Sequence, residues 1–154
     1  AYTNFATKFQ YLNPAETVLN SLPEEVENNQ IAYLSNNLGT IYDEFAEYKK
    51  AVEYLEKALH IRQNQKDENE IATTQSNLAI VYKNLREYNK AADLLEKALS
   101  SDLQNFEESH PRVATRQSNL ASVYRNLGEY EKATDLFEKA LKSYSQNLGE
   151  SHPN

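Results

Sequence analysis
Beyond residue 30 the chain sets its apolar residues on one side of a helix, and it repeats the arrangement three times. Leu38, Ile41, Tyr42 and Phe45 stand at i, i+3, i+4 and i+7, the spacing of one helical face. Leu78, Val81, Tyr82 and Leu85 repeat it, and Leu120, Val123, Tyr124 and Leu127 repeat it again. Each set is followed by a second one. Tyr48, Ala51, Leu55 and Ala58 are matched by Tyr88, Ala91, Leu95, Ala98 and by Tyr130, Ala133, Phe137, Ala140. The stretches starting at Ile31, Ile71 and Val113 therefore predict three helix pairs, with periods of 40 and 42 residues.

Local signals sharpen the boundaries. A small residue follows each leading Leu (Gly39, Ala79, Ala121), where a neighbouring helix should approach closely. Gly128 marks the turn inside the last pair, while Ala46 and Arg86 hold that place in the others. If the turn needs a left-handed residue, each of these two costs roughly 1 kcal/mol relative to glycine. "ESHP" at 108–111 reads as a connector, with Ser or His as the cap and Pro in the first turn; Asp67 with Glu70 does the same work in the shorter linker. The same phrase returns at 150–153, which carries the expectation of a longer array. The first thirty residues read as a worn copy. Leu12, Ala15, Val18, Leu19 and Leu22 fall on second-helix core positions after Asn13, Pro14 and Glu16 as a helix start, with Phe5 and Phe9 on a preceding helix and Pro23 as the stop. One domain of repeats at 1–30, 31–70, 71–112 and 113–154 follows.

A Leu–small pair, a Tyr three residues on, then Tyr, Ala, a large apolar residue and Ala resembles the tetratricopeptide repeat. The 42-residue period, the "SHP" linker and the wording "SNLA-x-VY-x-NLGEY" are similar to the long repeats of kinesin light chain. The resemblance covers Ile31 to Asn154. It implies an all-α fold, an α-solenoid of helix-turn-helix repeats wound into a right-handed superhelix. The first helices would line a concave groove used for peptides or partner proteins.

Composition narrows the functions. A formal net charge of −7 and only three glycines fit a helical protein without a nucleic-acid or anionic-membrane footprint. No stretch reaches the roughly 18 apolar residues of a spanning helix. The absence of cysteine excludes disulfides and thiolate chemistry and fits a cytoplasmic protein. His60 is read at the end of a second helix, and His110 and His152 in linkers, as capping groups rather than metal ligands. Glu24–Glu25 and Glu107–Glu108 are solvated carboxylates near helix ends. No phosphate loop or nucleophile elbow appears, so no catalytic residue, cofactor or metal is expected. Tyr42, Tyr48, Tyr82, Tyr88, Tyr124 and Tyr130 occupy repeat positions and are assigned to the core.

The outer faces differ in kind. Second helices carry Glu/Lys pairs at i, i+4 (Glu53–Lys57, Asp93–Lys97, Asp135–Lys139), a solvated wall. First helices carry amides and hydroxyls, which are mediocre helix formers. The candidate groove comprises Tyr33, Asn36, Asn37, Thr40, Asn77, Ile80, Lys83, Asn84, Asn119, Ser122, Arg125 and Asn126. In similar repeats the asparagine at 37, 77 and 119 commonly bonds the main chain of a bound extended peptide; a bond to a neighbouring helix, with no ligand, is the alternative. Asp43 and Glu44 would meet basic ligand residues, and Lys83 and Arg125 acidic ones. The expected function is a non-catalytic protein–protein interaction module within a scaffold or regulatory protein. A structural spacer, or the sensing region of a signalling protein, is the alternative. Leu141, Tyr144 and Leu148 continue the apolar pattern past the last core positions, and weak self-association through that edge is expected.

Overall fold
The computed structural model describes residues 14–23 and 28–150, with side chains through Asn147. Phe5, Phe9, Leu12, Asn13, Glu24, Glu25, His152 and the side chain of Leu148 lie outside the described residues. Helix α1 covers 14–21. It is followed by α2 (Asn29–Glu44), α3 (Tyr48–Gln65), α4 (Glu68–Asn84), α5 (Tyr88–Asn105), α6 (Pro111–Leu127) and α7 (Tyr130–Glu150). Among the described residues all regular structure is helical. The chain forms two compact units, one ending at Lys66 and one beginning at Asp67.

In unit 1, α2 packs on α3 through Leu38, Tyr42, Ala51, Leu55 and Ala58, all nearly free of solvent. Gly39 lets the two helices close. A Cβ there would stand 2.5 Å from Leu55 Cγ and 3.1 Å from the Ala51 carbonyl oxygen. Leu19 of α1 is fully buried, whereas Val18 and Leu22 are exposed. Of the worn repeat's expected core, the described part therefore keeps one deeply buried leucine.

Unit 2 pairs α4 with α5 and α6 with α7, and α5 also packs on α6. Its core joins Ala79 of α4, Ala91, Ala92 and Leu95 of α5, and Leu120 and Val123 of α6.

The turn inside each pair has one geometry. Ala46, Arg86 and Gly128 all have positive φ, at 59°, 62° and 81°. In each the following N–H bonds back across the turn: Glu47 to Tyr42, Glu87 to Tyr82, Glu129 to Tyr124. That six-to-one bond satisfies a carbonyl the helix end would leave open.

The linkers explain the two periods. α3 closes on Lys66 in the left-handed region, and the Asp67 side chain caps α4 by accepting from the Glu70 N–H at 3.2 Å. α5 instead closes on Phe106 in an extended conformation. A turn then reaches His110, whose Nδ1 accepts from the Arg112 N–H at 3.2 Å, with Pro111 opening α6.

Some expectations are corrected. His60 does not end a helix, since α3 runs on to Gln65 and the His60 ring meets the Asn64 amide at 3.3 Å. Of the six repeat tyrosines, Tyr42 is fully buried. Tyr48, Tyr82, Tyr88 and Tyr124 are half-buried, and Tyr130 is exposed. A tyrosine ring long enough to reach the repeat edge keeps its hydroxyl end wet. The expected bond from Glu16 back to Asn13 lies outside the described residues. Glu16 reaches α3, as described below.

Candidate functional site
The first helices bury two flanks and leave a narrow stripe between them. On α4, Ala72, Ser76 and Ala79 are buried on one flank, and Thr74, Leu78 and Val81 on the other. Between them run half-buried Thr73, Asn77 and Ile80, then exposed Asn84. α6 repeats this with Ala114 and Ala121 on one flank, Arg116, Leu120 and Val123 on the other, and Thr115, Asn119, Ser122 and Asn126 as the stripe. Within unit 2, Asn77, Ile80 and Asn84 on α4 thus have Asn119, Ser122 and Asn126 as their counterparts on α6. Lys83 is half-buried beside the stripe and Arg125 exposed beside its counterpart.

Unit 1 carries the same stripe on α2, with Tyr33 exposed and Asn37 and Thr40 half-buried. Asn36 is placed differently. It lies on the buried flank, and its Oδ1 accepts from the buried Arg62 guanidinium at 3.4 Å. Its amide holds helices together, which the bare spacing of asparagines does not distinguish from a ligand contact.

Three stripe hydroxyls bond their own helices, and that of Thr115 also meets the Tyr144 hydroxyl of α7 at 3.3 Å. Thr40 donates to the Asn37 carbonyl, Thr73 to that of Asn69 and Thr115 to that of Pro111, each at 2.9 Å. The other polar side chains of the stripe are largely amides, and a primary amide carries both donors and an acceptor.

Two polar devices lie near the stripe. Asp102, near the end of α5, is fully buried between two guanidinium groups of α6: Arg112 Nε at 3.0 Å and Arg116 Nε at 3.1 Å. Neither N–H points straight at its oxygen, so these are ion pairs rather than aligned hydrogen bonds. Arg112 also donates to the Asn69 carbonyl at 2.6 Å and to Thr73 Oγ1 at 3.0 Å, tying α6 to α4. Burial lowers the pKa of Arg116; Asp102 opposes this, and neighbouring Arg112 adds to it.

The second device recurs in each pair. Lys50, Lys90 and Lys132 lie 4.8, 5.0 and 4.9 Å from the ring centres of Tyr42, Tyr82 and Tyr124. Glu87 and Glu129 hold the latter two lysines at 2.5 Å. A carboxylate from an earlier helix completes the arrangement. The Tyr124 hydroxyl donates to Glu96 of α5, and in unit 1 Glu16 of α1 accepts from Tyr54 at 3.1 Å and pairs with Lys50 at 3.3 Å. Burial, then the Glu96 carboxylate, raises the Tyr124 phenol well above its usual value.

α7 fastens the connector. Ser143 Oγ donates to the Glu108 carbonyl at 3.1 Å, and Asn147 Nδ2 to that of Ser109 at 2.8 Å. A cleft of about 440 Å³ there is lined by Glu107, Glu108, Lys139 and Lys142, balanced in charge and containing no stripe residue. On the outer wall, Asp135 pairs with Lys139 at 2.9 Å. Among the described residues no three His, Cys, Asp or Glu side chains converge as a metal site, and no helix is long and apolar enough to cross a membrane.

Residues 70–154 match a tetratricopeptide repeat family model, and residues 32–65 match a second model of the same description. The chain belongs to the tetratricopeptide repeat family. As such it is a protein-interaction module on a generally non-catalytic fold. The search of curated proteins gave no match. Among solved structures, BtubC (BKLC) from P. vanneervenii is 25% identical with a TM-score of 0.84; the alignment covers 99% of this chain and 62% of that one. The chain thus spans less than two thirds of that protein's length. A putative kinesin light chain of Podosopora anserina, with nearly identical TPR-like repeats, is 20% identical at a TM-score of 0.77, covering 95% and 71%. The TPR domain of FLU from Arabidopsis is 20% identical, at a TM-score of 0.69, covering 76% and 97%. The last two likenesses are of fold.

Proposed function
We propose that this chain is a non-catalytic module of a cytoplasmic scaffold or regulatory protein, and that its first helices hold an extended peptide segment of a partner. The carrying observation is the pair Asn77 and Asn119, half-exposed at the same repeat position on α4 and α6, each between two buried flanks. An extended segment brings an unpaired N–H and C=O with nearly every residue. A primary amide can answer both. Ile80 beside Asn77 offers an apolar seat, and Lys83 and Arg125 favour acidic side chains on the segment. On α2, Asn37 and Thr40 stand at the same positions, with Asp43 and Glu44 nearby to favour basic ones.

A display library of extended peptides selected on the chain tests this. Asn77→Ala and Asn119→Ala are each expected to weaken a selected peptide by about 0.5–1.5 kcal/mol, one hydrogen bond's worth. Ile80→Asp is expected to weaken it further. Peptides that ignore these changes but respond to charge reversal at Glu53, Lys57, Asp93 or Lys97 would place binding on the outer wall. A library that yields no binder would favour the spacer.

A further inference from the structure
The two first helices of unit 2 are capped by groups of different chemistry. Asp67 opens α4 by accepting from the Glu70 N–H at 3.2 Å. An ordinary carboxylate stays ionised, and so accepts, at any pH above about 4. His110 opens α6 through Nδ1, which accepts from the Arg112 N–H at 3.2 Å. An imidazole nitrogen accepts only while it carries no proton. The bond therefore requires the neutral ring, with its proton on Nε2.

A proton on Nδ1 works against this cap in several ways. It sets a donor against another donor, the Arg112 N–H. It places a cation at the N-terminus of α6, the end where the helix dipole disfavours positive charge. It also crowds the Arg112 guanidinium, because both groups rest on Phe106: the His110 ring centre lies 4.3 Å from that of Phe106, and Arg112 Cζ lies 5.5 Å from it. The aromatic face attracts cations, but Arg112 already holds it. The other charged neighbours do not reverse the balance. On α5, Asp102 is shared between Arg112 and Arg116, which leaves one cation in surplus. On α4, Arg112 bonds the Asn69 carbonyl, with Glu68 and Glu70 on either side of it in sequence. In the connector, Glu107 and Glu108 are exposed, and they share a cleft with Lys139 and Lys142 of α7.

We propose that the connector from Phe106 to Pro111 is a proton-sensitive joint. With a neutral ring, His110 fastens the first turn of α6. With a protonated one it releases that turn, and it loosens the hold of Arg112 on Asp102 and on α4, while the Asp67 cap stays closed. The unfolded chain has no such cap to lose, so acid favours it. The stability that His110 contributes is complete above the range where a free imidazole titrates, near about 6.5, and is lost as pH falls through that range. The joint lies within unit 2 and is tested on the chain alone, so it stands apart from the peptide reading.

His110→Asn supplies a cap that does not titrate. Thermal midpoints of parent and variant are measured from about pH 7.5 to about 5.5, a window that spans the imidazole range and stays above that of carboxylates. His60 and His152 are present in both proteins, so their effects cancel. Across the window the parent is expected to fall behind His110→Asn by about 2–4 °C, the shift one helix cap makes in a chain of this length. His110→Ala has no cap at any pH, and its gap to His110→Asn is expected to stay constant. Nuclear magnetic resonance of the parent adds a local readout. At about pH 7.5 the bare ring nitrogen is expected to be Nδ1. The Arg112 amide proton is expected to shift together with the His110 ring as it titrates, while the Glu70 amide stays still. The proposal is overturned if parent and His110→Asn midpoints run parallel, if His110→Ala shows the parent's pH dependence, or if the Arg112 amide does not follow the ring.

Discussion

Units 1 and 2 build their helix pairs on the same small apolar residues and hold them with different polar ones. In unit 1, Gly39 sits under Leu55, Tyr42 stacks on Tyr54 with ring centres 5.6 Å apart, and Glu16 reaches across to Tyr54 and Lys50. In unit 2, Ala79 and Ala121 take the place of Gly39, and Asp102 binds α5 to α6 through two arginines. The shared apolar frame suffices for the fold. The polar additions differ from repeat to repeat, and they are what makes one helix-to-helix junction unlike another.

Breaking the largest of those additions should separate the units most. Asp102→Ala leaves two arginines packed together without their anion, and unit 2 is expected to lose about 3–5 kcal/mol. Replacing Asp102, Arg112 and Arg116 together by Leu and Met is expected to recover that loss, since an apolar cluster of similar volume often equals or exceeds a buried ion group. Urea unfolding followed by circular dichroism reads both. A loss under about 1 kcal/mol for Asp102→Ala would mean that water reaches the arginines in solution.

The next test sits at the small-residue position. Gly39→Ala drives a methyl group against Leu55, a side chain with no exposed surface into which to swing. It is expected to cost about 1–3 kcal/mol, although alanine is the better helix former. The two following repeats already hold Ala79 and Ala121 there. Stabilisation by Gly39→Ala would show that the unit 1 pair can relax to accommodate the residue those repeats use.

The pattern of the chain exposed the helix pairs, their turns, the Asp67 and His110 caps and the close approach at Gly39, because each of these recurs and each depends on local spacing. It hid what departs from recurrence. Arg62, Asp102 and Tyr144 share one repeat position and have three different chemistries, so a reading by period passes over all three. Asn36 and Asn37 are neighbours in sequence but about 100° apart around the helix, and the packing of Arg62 against Asn36 shows which one faces inward. Glu16 was read only as part of a helix start, and its contacts with Tyr54 and Lys50 of α3 are tertiary and leave no mark in the local spacing. The stripe of amides was legible, since it lies between flanks that the apolar spacing defines.

At the turns the expected effects are smaller and opposite in sign. Gly128 has nothing within 4 Å of a would-be Cβ, so Gly128→Ala tests backbone conformation alone and is expected to cost about 1 kcal/mol. Arg86→Gly removes the same strain where a side chain now bears it, and it is expected to raise stability by up to about 1 kcal/mol. Equal, near-zero changes in thermal midpoints would show that the turn conformation costs little here.

An effect of similar size concerns Glu16, and pH reveals it. Burial pushes its pKa up, but the hydroxyls of Tyr42 and Tyr54 and the Lys50 ammonium outweigh burial and hold it below the ordinary 4.5. A depressed folded-state pKa means that the ionised form stabilises the fold. The contribution is complete above 4.5 and is lost as pH falls below that value through the lower folded one. Burial and the same carboxylate push the Tyr54 phenol up to about 12, so its contribution is complete below 10 and fades as pH rises towards 12. Glu16→Gln is expected to cost about 0.5–1.5 kcal/mol near neutral pH, the range of one hydrogen bond. The gap between variant and parent should narrow steadily from pH 4.5 downward. Unfolding midpoints of both proteins across that range decide the matter, and a gap that stays constant into acid would mean that Glu16 acts by packing rather than by charge.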